Sequence, residues 1–220
     1  MNILKNIDGK NSSLKQRIIA LCINDGDYSL ADLSKELDTS IPTTTKLVGE
    51  LVEDGLLMDM GKVGTNGGRR PSIYGLNPSA GYLVGVDIRR KFIGFAVTDF
   101  KGTLVDFHES IDFKVDNSEE SFRNMCRVIN NELNESGIDP TKVLAYGFNL
   151  TGRVNNETGY CFSYFLGEDK PIASVLEDEL GKPVFVENDS RAMTYGEYIC
   201  GAANGEKNML YLNVAWGPAC

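Results

Sequence analysis

Apolar positions in the first 60 residues recur at helical spacing. Leu14, Ile18, Leu21 and Cys22 fall on one face behind Ser12 or Ser13 as N-cap, and Asn24-Asp25-Gly26-Asp27 breaks the run. Ser29 followed by Asp32 predicts a short capped helix that buries Leu30, Leu33 and Leu37. Ser40 predicts a third helix, with Pro42 near its start, where a missing N–H costs little. Its inward positions are Thr44, Leu47, Val48 and Leu51, and Gly55 ends it. Leu56–Met60 and Ser72–Leu76 read as two short strands joined by the turn-rich segment Gly61–Pro71. Three helices and a two-stranded ribbon describe a winged helix-turn-helix over residues 1–78, with Asn77–Gly81 as the linker at its end.

The period then changes. Tyr82–Ile88, Phe92–Thr98 and Thr103–Ser110 read as three strands, with a turn at Lys101-Gly102. A helix is expected over about 119–134 and a strand at Val143–Asn149. A helix (Ile172–Leu180), a strand (Pro183–Glu187), a helix (Arg191–Cys200) and a strand (Met209–Ala215) follow. Three strands followed by alternating helix and strand predict an α/β domain over residues 79–220, the N-terminal lobe of an actin-like, ribonuclease-H-like fold.

Composition removes several function classes. A hydrophobic share of 42% with 24% charged residues is ordinary for a folded globular chain and excludes general disorder. The longest apolar run, Ile18–Ile23, is far below the ~18 residues of a membrane span, so no membrane association is expected. Residues 1–13 carry no secretory core. Five scattered cysteines without a C-x-x-C pair read as reduced thiols, which points to the cytoplasm. With His108 the only histidine, no metal site is expected, and no cofactor.

The net charge of −9 argues against indiscriminate nucleic-acid binding, yet it is unevenly spread. Residues 1–78 hold 9 basic and 10 acidic groups, whereas the remaining 142 hold 13 and 21. No acidic residue lies between Asp59 and Asp87, and Lys62, Arg69 and Arg70 fall in that window. Thr43, Thr45 and Lys46 lie near the start of the third helix, off its inward face. Short hydroxyl side chains and a lysine there suit phosphates and base edges in a major groove. Gly67-Gly68-Arg69-Arg70-Pro71 joins two flexible residues to two guanidinium groups, a loop suited to the electronegative minor groove. Operator DNA is therefore the expected partner. A homo-oligomer is expected because helix-turn-helix proteins gain affinity from two half-sites.

The same residues carry a family resemblance. Gly67-Gly68-Arg69-Arg70-Pro71, Leu76-Asn77-Pro78, Val84-Gly85-Val86-Asp87-Ile88, Val186-Glu187-Asn188-Asp189 and Gly196-Glu197 resemble the regulator branch of the ROK family of repressors and sugar kinases. The resemblance runs from about Ser12 to Trp216 and implies a repressor of carbohydrate-utilisation genes that responds to a sugar or sugar phosphate. Family kinases carry Asp-x-Gly-Gly-Thr after the first strand, where bare glycine N–H groups approach nucleotide phosphates. This chain has Asp87-Ile88-Arg89-Arg90-Lys91, which implies that ATP binding is lost and that no residue is catalytic. By the same resemblance Asp189 matches the kinases' general base and Asn188 a sugar-hydroxyl contact, while both residues also suit a helix cap. Thr151 stands where the family's sugar-side loop usually has proline. The last residues resemble the strand leading into a second glycine-rich turn, so the opposite lobe of the sugar cleft is expected to be missing. A sugar kinase or its remnant is the alternative reading. A fragment that binds DNA or a partner without sensing a sugar is the third.

Overall fold

The computed structural model describes residues 11–62, 71–163, 170–201, 203 and 206–213. Two compact units make up the chain. One comprises Met1–Leu83, Thr98–Val105 and Lys142–Leu144; the other comprises Val84–Val97, Asp106–Thr141 and Ala145–Cys220.

Three helices dominate the first unit: α1 (Ser12–Asp25), α2 (Leu30–Glu36) and α3 (Ile41–Glu53). Their apolar faces form one core through Ile18, Leu33, Leu47, Val48 and Leu51, each at or below 1% exposure. Ser29 caps α2 by accepting the Asp32 N–H at 3.2 Å, and Ser40 caps α3 by accepting the Thr43 N–H at 3.3 Å. Asp38 sits between α2 and α3 at φ +52°, a left-handed conformation that turns the chain between the two helices. Strand β2 (Leu57–Lys62) pairs antiparallel with β3 (Ser72–Leu76) as the ribbon pattern requires. A strand not expected from the sequence, β1 (Tyr28–Ser29), pairs with the other edge of β3. Asn77 ties the ribbon to the end of α3, its side chain donating to the Gly55 carbonyl at 2.8 Å. The expected linker thus includes a 3-10 turn, Pro78–Ala80, capped by the Asn77 side chain. Phe100 packs on the same core, and Lys101 Nζ lies 3.4 Å from Asp27.

A five-stranded sheet runs in the order β10-β7-β4-β5-β6. Its strands are β4 (Tyr82–Ile88), β5 (Phe92–Asp99), β6 (Leu104–Asp112), β7 (Val143–Leu150) and β10 (Val184–Asn188). Strands β7 and β10 are parallel, which requires the crossover that helix α5 (Ile172–Leu180) supplies. Helix α4 (Glu119–Glu135) buries Phe122, Met125, Cys126, Ile129 and Leu133, which recur at the helical period. A small ribbon, β8 (Val154–Asn155) with β9 (Tyr160–Cys161), precedes α5, and α6 (Asp189–Cys200) follows β10. Helix α6 begins at Asp189, two residues before the expected start. The strand expected at 209–215 is not formed over 209–213, and residues 214–215 lie outside the described residues. Leu210 and Leu212 there are 84% and 75% exposed: alternating apolar residues make a strand only when a neighbouring strand takes up their backbone groups.

Candidate functional site

Three places carry the candidate chemistry, one in the first unit and two in the second. On α3 the buried Thr44 separates a solvent face from the core. Its hydroxyl lies 2.9 Å from that of Thr39 and donates to the Ser40 carbonyl at 3.3 Å. Thr43, Thr45 and Lys46 all lie on the exposed side. The Thr45 hydroxyl donates to the Ile41 carbonyl at 2.8 Å, and Lys46 Nζ is 3.9 Å from Glu50 with its side chain 73% exposed. That lysine is free to swing toward a phosphate, because an exposed i,i+4 pair of this length holds it weakly. Ile41, exposed at the same end, was not singled out by sequence reasoning; its side chain suits a thymine methyl. Gly67, Gly68, Arg69 and Arg70 lie outside the described residues.

In the second unit, Asn188 and Asp189 meet at the β10–α6 junction. Asn188 is the N-cap of α6: its Oδ1 accepts the Arg191 N–H at 3.1 Å. Its amide donates to the Gly152 carbonyl at 2.8 Å and to Asp189 Oδ1 at 3.0 Å. Asp189 Oδ1 also accepts the Ser190 N–H at 2.7 Å. Both residues are therefore structural anchors as well as candidate sugar contacts. Gly152, at φ +99°, lies so close to Ser163 that a Cβ would come within 2.0 Å of its hydroxyl. The adjacent Arg153 N–H donates to that hydroxyl at 3.1 Å. A cavity of about 410 Å³ opens here, lined by Gly152, Arg153, Val154, Phe162, Asn188 and Arg191. Arg153 and Arg191 were not foreseen as site residues; the loop and the helix bring them together across 38 positions of sequence.

The end of β4 is the third place of interest. Arg89 Nε contacts Asp87 Oδ2 at 2.7 Å, and its guanidinium stacks 5.1 Å over the Phe92 ring. Part of the turn's main chain is paired: the Arg89 N–H donates to the Phe92 carbonyl, while the carbonyls of Arg90 and Lys91 accept from Val115 and Phe113. Among the described residues, Asp87 Oδ1 is buried without a hydrogen-bond partner.

Titratable groups outside these places have plain causes for their shifts. Burial pushes the Cys22 thiol up to about 11 and Cys126 to about 12, so neither is a nucleophile near neutrality. The His108 pKa is raised, chiefly by its hydrogen bond to Glu132. Among the described residues no group of three metal-ligating side chains occurs, and no helix is long and apolar enough to cross a membrane.

Residues 83–218 match the model of the ROK family. The chain belongs to the ROK family. This ROK protein is 26% identical over 198 residues to the xylose repressor of Bacillus spizizenii, a match covering 89% of the chain and 51% of that protein. It is 28% identical over 138 residues to the glucokinase of Halalkalibacterium halodurans, covering 62% of the chain and 42% of that enzyme. Among solved structures, a ROK family transcriptional regulator, a homologue of the E. coli Mlc protein, superposes with a TM-score of 0.66 at 20% identity. That match covers 90% of this chain and 49% of the other. At that identity the likeness shows the fold alone. The chain spans about half the length of the curated relatives it matches.

Proposed function

We propose that this chain works in a sugar-responsive repressor of carbohydrate-utilisation genes. In this reading residues 1–78 form a winged helix-turn-helix that binds operator DNA, and residues 79–220 form one actin-like lobe of the effector-sensing part. One observation carries the reading: similarity to a xylose repressor covers 89% of the chain, which residues 83–218 alone cannot supply. The likeness therefore extends into the unit that exposes Thr43, Thr45 and Lys46 at the start of α3. The glucokinase match covers only 62% of the chain. Helix α3 enters the major groove in this reading, the Gly67–Arg70 wing the minor groove, and a sugar binds beside Asn188 and Asp189. The protein acts in the cytoplasm as a homo-oligomer, so that two half-sites are held at once.

Phosphoryl transfer is not part of the function. By the family resemblance Arg89 and Arg90 stand where the kinases have glycine, and the Arg89 N–H is already paired with the Phe92 carbonyl. ATP-dependent phosphorylation of glucose that Asp189→Asn abolishes would overturn this part.

Fluorescence anisotropy with an A·T-rich operator, titrated at several salt concentrations, tests the DNA reading. Alanine at both Arg69 and Arg70 weakens binding and reduces the salt slope by about 2 if each arginine neutralises one phosphate. A double variant that binds like the parent at every salt concentration removes the wing from the account.

A further inference from the structure

We propose that the cleft beside Asn188 takes an anionic sugar, with Arg153 as the residue that selects its charge. The inference rests on the sugar-effector reading and narrows it to sugars bearing a phosphate or a carboxylate.

The lining supplies the argument. Among the described residues that line it, the ionisable side chains are two guanidinium groups, and the Asp189 carboxylate beside them is held by the Asn188 amide and the Ser190 N–H. Arg191 is committed: Nε donates to Glu187 Oε1 at 2.7 Å and Nη2 to the Val154 carbonyl at 2.9 Å. The Asn156 amide, 2.7 Å from Glu187 Oε2, completes that set, so Arg191 is held and neutralised. The donors of Asn188 are committed as well, to Gly152 and Asp189.

Arg153 differs from both. Its backbone is fixed at two points, the N–H on the Ser163 hydroxyl at 3.1 Å and the carbonyl on the Phe162 N–H at 2.9 Å. Its guanidinium stands 5.6 Å over the Phe162 ring and makes no ion pair among the described residues. A guanidinium stacked on an aromatic face keeps its in-plane N–H groups available, and their fork matches the two oxygens of a carboxylate or phosphate. The exposed part of Phe162 gives the apolar C–H face of a sugar ring something to lie against. The cavity volume of about 410 Å³ is within the range of small-ligand sites. A neutral sugar leaves the Arg153 guanidinium without an ionic partner among the described residues; a charged sugar pairs it.

Isothermal titration of the full chain tests this with matched pairs: D-xylose and D-xylose 5-phosphate, D-glucose and D-glucose 6-phosphate, with D-glucuronate as the carboxylate arm and inorganic phosphate as the bare-anion control. The expected result is a charged sugar binding about tenfold tighter than its neutral parent, the size of one charge-assisted hydrogen bond in a partly open site. Arg153→Gln removes that gap and Arg153→Lys restores part of it. Whether phosphate or carboxylate is preferred follows from the two charged arms. Equal affinity for charged and neutral partners, or a preference that survives Arg153→Gln, overturns the inference and leaves the sugar reading standing. Inorganic phosphate binding as tightly as a sugar phosphate overturns it too, since the cavity would then hold an anion without reading a sugar. Failure of every sugar to bind overturns the effector reading and the inference with it.

Discussion

Replacing Asn188 by Ala separates the structural work of this residue from any contact with a sugar. The side chain makes three hydrogen bonds: it accepts the Arg191 N–H, donates across 36 positions to the Gly152 carbonyl, and donates to Asp189. Loss of an N-cap costs about 1 kcal/mol. Loss of the tie to Gly152 adds about 0.5–1 kcal/mol, since that bond is only partly shielded from water. Asn188→Ala therefore destabilises the chain by about 1.5–2 kcal/mol. Ser restores a capping oxygen but cannot reach Gly152, so Asn188→Ser loses about half as much. Urea denaturation followed by far-ultraviolet circular dichroism reads both values from the shift in midpoint at constant slope. A loss below about 0.5 kcal/mol for Ala would refute the anchoring argument. If sugar binding vanished with that small loss, Asn188 would be a ligand contact and little else.

Three further outcomes follow from the same geometry. Gly49 lies inside α3 with nothing within 4 Å of where a Cβ would stand, so Gly49→Ala stabilises the chain by about 1 kcal/mol in denaturant titrations; destabilisation would mean that this face is packed. The His108 pKa is raised in the folded state by Glu132, so its contribution to stability is full below the ordinary value of 6.5 and is lost as pH rises through the higher folded value. Glu132→Gln removes most of that pH dependence, and stability against pH that is unchanged by the variant contradicts the pairing. A thiol reagent at pH 8 modifies the exposed Cys200 well before the buried Cys22 and Cys126, whose pKa values are about 11 and about 12. Equal rates for all three would contradict the burial of Cys22 and Cys126.

Local signals were the legible ones. Helix α3 could be drawn from Ser40, Pro42 and the spacing of Thr44, Leu47, Val48 and Leu51, because cap and amphipathic period both reside within one short window. The order of the longer strands and helices from Tyr82 to Cys200 was legible for the same reason. Pairings between distant segments were not. Strand β1 is two residues long and exists only because β3 offers an edge at Ile73 and Tyr74. The β8–β9 ribbon depends on a turn whose pattern is too short to stand out. At 209–213 the alternation was present and the partner strand was not, so no strand formed. The capping role open to Asn188 and Asp189 was legible, and Asn188 does cap α6. The tie to Gly152 and the two arginines around the cavity were hidden, since an arginine after a glycine carries no signal until the loop is folded beside α6.

Selection from a library of random DNA duplexes by the full chain tests whether this protein binds an operator. The expected outcome is enrichment of one A·T-rich sequence, arranged as two half-sites about one helical turn apart. With Lys46→Ala or with Ala at Arg69 and Arg70, recovery of that sequence falls. Recovery of DNA no different in sequence from the starting library would contradict a role as an operator-binding repressor.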